Sequence, residues 1–226
     1  MDFVRGRSDA LLRKDAFFGA LSEAREEAAQ TGTFLPWTEA VELLGAEGTE
    51  RILLCALWAL KASGEAGLEL AALRSLLAEL EEGNAGSIDS LPPWVLADAG
   101  YVRLSPAVYG WLEGRAPDLP EGLELLFPSV KKVYGQEKVR KDAEAFFALP
   151  DMEEGSRAFC ISGVKGSGRQ YLMEQVCAAE RLPLLLADAD VFRCGPRGLN
   201  EAVFCVRLYG AFPCVKMGKE GQERIL

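Results

Sequence analysis

Residues 161–176 read ISGVKGSGRQYLMEQV. The stretch RAFCISG, ending at Gly163, has the apolar content of a short strand, GVKGSG is a turn that needs glycine's backbone freedom, and Arg169 to Arg181 has helical spacing with Leu172, Val176 and Ala179 facing inward. A second apolar run, LPLLLADAD from Leu182, follows as a buried strand. Strand, glycine-rich loop, helix and strand make one βαβ unit, the setting in which a glycine pattern carries chemical meaning. Amides at the start of such a helix, with the positive end of its dipole, attract phosphate. The expected cradle is Gly163, Val164, Lys165, Gly166, Ser167, Gly168, Arg169 and Gln170, in which Gly163 and Gly168 let backbone approach the oxygens.

The spacing G-x-x-x-x-G fits the phosphate-loop template, but the next two positions depart from it. Arg169 replaces a compact ammonium by a planar fork, which pairs with phosphate without reaching the same oxygens. Gln170 replaces the hydroxyl that would ligate Mg²⁺. Downstream, the helical stretch LNEAVFCVRLYG leads into AFPCVKMGKEG, where a Walker B strand would end in acids; the matching position is Lys216, and Glu220 and Glu223 lie beyond a glycine. Asp188 and Asp190 end the second strand, where they either approach a ligand or cap the following loop.

The surrounding composition narrows the chemistry. The 226 residues contain no histidine, which removes His-based acid/base catalysis, Ser-His-Asp and Cys-His triads and most catalytic zinc sites. Six cysteines form no C-x-x-C pair and read as buried free thiols rather than zinc ligands or a secreted disulfide framework. The longest strictly apolar run, Ile52 to Leu60, is too short for a bilayer, and the first twenty residues lack a signal-peptide core, so a cytoplasmic protein without membrane contact is expected. Residues 1–126 hold 10 Lys+Arg against 21 Asp+Glu, while 127–226 hold 15 against 13. An acidic front half repels nucleic acid and favours protein partners.

Working outward, residues 1–32 read as an N-terminal helix centred on Asp9 to Gln30, broken at Gly32. FLPWTEAVELLG predicts a short helix, and Thr49 caps a longer one with Ile52, Leu53, Ala56, Leu57 and Leu60 on its stripe. LELAALRSLLAELEEG predicts a helix to Gly83, and SLPPWVLADAG a short helix closed by Gly100. YVRLSPAVYGWLEG predicts a strand running into a Ser105-Pro106 helix start. The proline- and acid-rich segment 117–130 reads as a linker, followed by a turn at Tyr134-Gly135 and a basic-acidic helix.

The order of elements from Phe34 to Gly114 resembles the variant winged-helix domain that precedes the ATPase core in a group of bacterial AAA+ proteins. KKVYGQEKVRKDAEAFF resembles the entry of an AAA+ module, which implies Tyr134 and Gly135 beside an adenine. GVKGSGRQYLMEQVCAAERLPLLLADAD is similar to AAA+ cores with G-S-G-R in place of G-T-G-K, sometimes the degenerate first member of a tandem pair. The implied fold is an α/β P-loop core with an incomplete parallel sheet, residues 131–226, behind a mostly helical winged-helix-like domain, residues 33–116. Family members act as ring ATPases that remodel or load other proteins, some beside contractile injection machinery. The resemblance therefore implies ATP as cofactor, protein partners and a homo-oligomeric ring. The family's sensor residue, arginine finger and helical lid would follow Leu226, so the sequence reads as a fragment or truncated relative.

Three functional readings result: ATP binding with poor hydrolysis, a non-enzymatic scaffold, and a winged-helix DNA regulator. The acidic charge opposes the last.

Overall fold

The computed structural model describes residues 23, 26–28, 30–33, 35–62, 64, 67–73, 75, 91–129, 137–149, 157–164, 166–193 and 195–217. It is a mixed α/β structure with two small sheets, divided into compact units Met1–Asp118 and Leu119–Leu226. Within the expected N-terminal helix, the described residues 26–28, 30 and 31 are helical and Ala28 is buried.

In the first unit, α1 (Pro36–Leu44) starts with proline in its first turn and ends on Gly45 at φ 64°. Helix α2 (Thr49–Ala62) buries Leu53, Leu54 and Leu57. Strands β1 (Leu68–Glu69), β2 (Val95–Asp98) and β3 (Tyr101–Leu104) form an antiparallel sheet in the order β1-β3-β2. Ser105 then accepts the Val108 amide at 3.4 Å, and Pro106 opens α3 (Pro106–Leu112), as its sequence predicts. Trp58 donates its indole N–H to Glu113 at 2.7 Å, which ties α2 to the end of α3.

Two helical expectations are corrected by this sheet. SLPPWVLADAG supplies β2: Asp98 pairs with Tyr101, and the two residues between them, Ala99 and Gly100, have φ of 49° and 85°. Positive φ at both central positions is the type I′ hairpin signature, which matches the right-handed twist of the flanking strands. The Ala-Gly pair concealed it, because alanine favours helices. LELAALRSLLAELEEG also begins extended, with Leu68 and Glu69 paired to Val102 and Tyr101, before the helical residues that start at Leu70.

An L-residue in the left-handed region is strained by roughly 1 kcal/mol, less for asparagine. Ala99→Asn should therefore raise the melting temperature of the first unit by about 3–6 °C. Tryptophan fluorescence isolates this transition, since all four tryptophans (Trp37, Trp58, Trp94, Trp111) lie in that unit. An unchanged or lower value would contradict the hairpin reading.

In the second unit, β4 (Leu123–Leu126) runs antiparallel to β5 (Leu184–Asp188), and β5 runs parallel to β6 (Phe212–Lys216). The sheet is mixed, so the expected all-parallel arrangement is corrected. The linker over 117–130 is corrected too, because Leu123–Leu126 form β4: alternation of Leu123 with Glu124 suits a sheet edge, a signal outweighed in the sequence by neighbouring prolines.

RAFCISG is likewise not a strand of the sheet. Phe159 and Ile161 are half-buried against Ala143, Leu172 and Val176, while Arg157, Ala158, Cys160 and Ser162 are exposed. Side-chain packing holds the segment where a ladder was expected. The βαβ unit occurs one step later, as β5, a 3-10 turn (Ala189–Arg193) and α6 (Pro196–Tyr209) leading to β6.

Helix α4 (Glu137–Phe147) packs on α5 (Arg169–Ala179), and α5 in turn covers β5. Met173 and Cys177 meet Leu184 and Leu186, joined by Phe212 and Cys214; the Phe147 and Phe212 ring centroids are 4.5 Å apart. Leu172 and Val176 are buried as the spacing predicts, but Ala179 is exposed at the last turn, and Met173, Cys177 and Ala178 share the burial. Helix α6 contacts β4, β5 and β6 through a face that includes Ala202, Cys205 and Leu208. At β6, the Phe212 amide donates to Pro183 O at 2.8 Å, so alternation turns the nitrogen of Pro213 toward the opposite side, where no described strand pairs.

The described cysteines are free thiols. Burial pushes Cys177 and Cys205 up to about 12, with smaller contributions from Cys214 and Glu180 at the first and from Glu201 at the second, while Cys160 is exposed. Both thiols stay protonated, and so weakly nucleophilic, at neutral pH. A maleimide should therefore modify Cys160 in the native protein and reach Cys177 and Cys205 only after denaturation, as read by peptide mass mapping. Equal native labelling of all three would contradict this core.

Candidate functional site

The glycine-rich loop sits at the head of α5 and closes on itself. The Ser167 amide donates to Val164 O at 3.1 Å, forming a turn in which Gly166 has φ 83°. A β-carbon on Gly163 would lie 2.9 Å from Ser167 Oγ and 3.7 Å from Arg169 Cδ. The two ends of the loop thus come into side-chain range of each other, and a β-carbon at Gly163 would require the Ser167 hydroxyl to turn away.

Gly168 occupies the N-cap of α5 at φ 75°, ψ 18°, a left-handed conformation, and brings no side-chain oxygen to cap the helix. The amides of Arg169 and Gln170 fall among those that a helix geometry leaves without intrahelical acceptors. Arg169 is half-buried, with its Cδ beside Gly163. Gln170 instead donates to Glu174 Oε1 at 3.0 Å. Its amide is thereby engaged along the helix, toward the next turn.

Of the expected cradle, Gly163, Val164, Gly166, Ser167, Gly168, Arg169 and Gln170 are brought together by this turn. Val164 is largely exposed. Lys165 and the pair Tyr134 and Gly135 lie outside the described residues.

A second feature lies where the sequence places Asp188 and Asp190, although motif reading did not bring its other residues together. At the carboxyl ends of β5 and β6 is a cavity of about 600 Å³, lined among others by Glu121, Asp188, Val191, Arg197 and Lys216; none of the loop residues lines it. Asp188 and Lys216 are register partners in the parallel pair, and their charged atoms are 3.9 Å apart. Asp190 is paired with Arg193 at 3.0 Å within the 3-10 turn and also lines the cavity. The strand-end positions where acids would hold a metal therefore carry one weak ion pair. Among the described residues, no group of three or more Cys, Asp or Glu is placed to bind a metal ion.

Val191 builds the wall of this cavity. A β-carbon added to either Gly122 or Gly198 would collide with its side chain, and at Gly198 it would also lie 2.8 Å from the Val191 carbonyl oxygen. The approach to β4, the 3-10 turn and the first turn of α6 interlock there.

No protein family, characterised protein or solved structure matches the chain. No helix among the described residues is long and apolar enough to cross a membrane.

Proposed function

We propose that the second unit binds an adenine nucleotide, ATP, through the loop Gly163–Gln170, as a degenerate AAA+-like P-loop module of a protein-remodelling or assembly machine. The observation that carries this reading is the loop's closure at Gly163 together with the left-handed glycine that opens α5 without a side-chain cap. Such a terminus presents amide hydrogens and a positive dipole end to phosphate. Arg169 adds a cation that forms charge-assisted bonds to phosphate oxygens.

Hydrolysis requires metal placement and a positioned water. Gln170 is engaged by Glu174, and Lys216 stands at the end of β6. Binding in this reading is independent of Mg²⁺, and turnover is weak. The first unit, with its helices and three-stranded hairpin sheet, is read as winged-helix-like; its acidic charge suits protein partners.

The test is a titration of the whole chain with ATP, followed by calorimetry because the second unit has no tryptophan. At a concentration 100 times the dissociation constant, stabilisation of about 2.7 kcal/mol is expected. The rise should persist in EDTA, with phosphate release at background. No rise at millimolar ATP would favour the scaffold reading.

A further inference from the structure

The cavity at the ends of β5 and β6 has chemistry that the loop does not use. Its volume of about 600 Å³ suits a small metabolite, and it lies where open α/β sheets receive ligands, outside the carboxyl ends of parallel strands. Its cations are Arg197, in the first turn of α6, and Lys216, at the end of β6. Among the described residues Arg197 has no ion-pair partner, and Lys216 has only the long contact to Asp188. Asp188, Asp190 and Glu121 supply carboxylate acceptors on the same walls, Asp190 being also paired with Arg193.

The shape is fixed independently of these charges. Val191 is wedged against Gly122 and Gly198, so the turn after β5 is held against the start of α6 and the approach to β4. The cavity is therefore maintained by packing, with charged groups arranged around an apolar wall.

A simple anion would meet Asp188, Asp190 and Glu121 as repulsive neighbours, and a simple cation would meet Arg197 and Lys216. A ligand with both an anionic group and hydroxyl donors satisfies both sets. We propose that this cavity binds a small polyhydroxylated anion of the sugar-phosphate class. Its phosphate pairs with Arg197 and Lys216, its hydroxyls donate to Asp188 and Glu121, and its carbon skeleton rests on Val191.

The experiment is isothermal titration of the full chain with ribose 5-phosphate, with inorganic phosphate and ribose as separate probes. Ribose 5-phosphate should bind at least about tenfold more tightly than phosphate, and ribose should give no heat, because charge-assisted bonds and hydroxyl bonds are both needed. Arg197→Ala, at an exposed position, should weaken binding about tenfold or more, whereas Arg169→Ala should leave it unchanged. Circular dichroism of both variants checks that each remains folded, and Lys216→Ala provides a second cation deletion for the same measurement. No binding of ribose 5-phosphate, equal binding of phosphate alone, or insensitivity to both cation deletions overturns the proposal. Loss in Arg169→Ala also overturns it by placing the ligand at the loop. ATP titrated into the same variants separates the two sites, since its binding is expected to fall in Arg169→Ala and makes no demand on Arg197.

Discussion

Gly168→Val is expected to abolish the ATP-dependent rise in the melting temperature of the second unit. At φ 75° the backbone of Gly168 is in a region that disfavours L-residues by about 1–2 kcal/mol, and a β-branched side chain is among the least tolerant. The variant must either strain the helix entry or move it, and in both cases the amides of Arg169 and Gln170 leave the directions that converge on a phosphate. Its own melting temperature will fall, so the informative quantity is the difference with and without ATP. Arg169→Ala provides the comparison: it removes a charge while leaving the backbone turn in place, and its ATP affinity should fall about 10- to 100-fold, corresponding to one charge-assisted bond. A valine variant with the full ATP response would exclude the loop as the nucleotide site. An arginine variant with undiminished affinity would leave the helix terminus alone responsible.

The second large effect concerns stability. Gly198→Val should destabilise the second unit by about 1–3 kcal/mol, the usual consequence of overpacking, and lower its melting temperature by roughly 5–15 °C. Helix propensity points the other way, since replacing glycine in a helix by another residue is ordinarily favourable or neutral. Sterics decide the sign: the new side chain enters the space held by Val191, and the carbonyl oxygen of that residue stands 2.8 Å from the added β-carbon. Combining it with Val191→Ala should recover part of the loss, because the side-chain collision is relieved while the carbonyl remains. Calorimetry of the two single variants and the double variant gives the coupling directly. Equal or higher stability in Gly198→Val would show that α6 shifts freely away from the turn.

How much of this was readable in the chain depends on which force fixes each element. Ser105-Pro106 announced α3 because cap and proline chemistry are local, and the long apolar spacing from Leu199 announced α6 for a similar reason. The apolar runs at Leu184 and Phe212 gave β5 and β6. Strand β2 escaped because Ala99 adopts a left-handed conformation that its identity does not advertise; only pairing with β3 compels it. Strand β4 escaped because Pro120 and Pro128 flank a brief leucine-rich segment whose partner, β5, is distant in sequence. At the site, the loop glycines were visible from spacing. The opposition of Asp188 and Lys216 was not, because it arises from strand register, and the contacts of Val191 with Gly122 and Gly198 have no sequence pattern at all.

Pro213 has a consequence for solubility. An unoccupied β edge can template the addition of further chains, and repeated addition produces fibres. On the side of β6 where no described strand pairs, proline leaves a gap in the row of hydrogen donors, so an incoming strand loses a bond there in whatever register it tries. One ring closure thereby makes this margin of the sheet a poor seed for polymerisation while leaving the bonds to β5 intact.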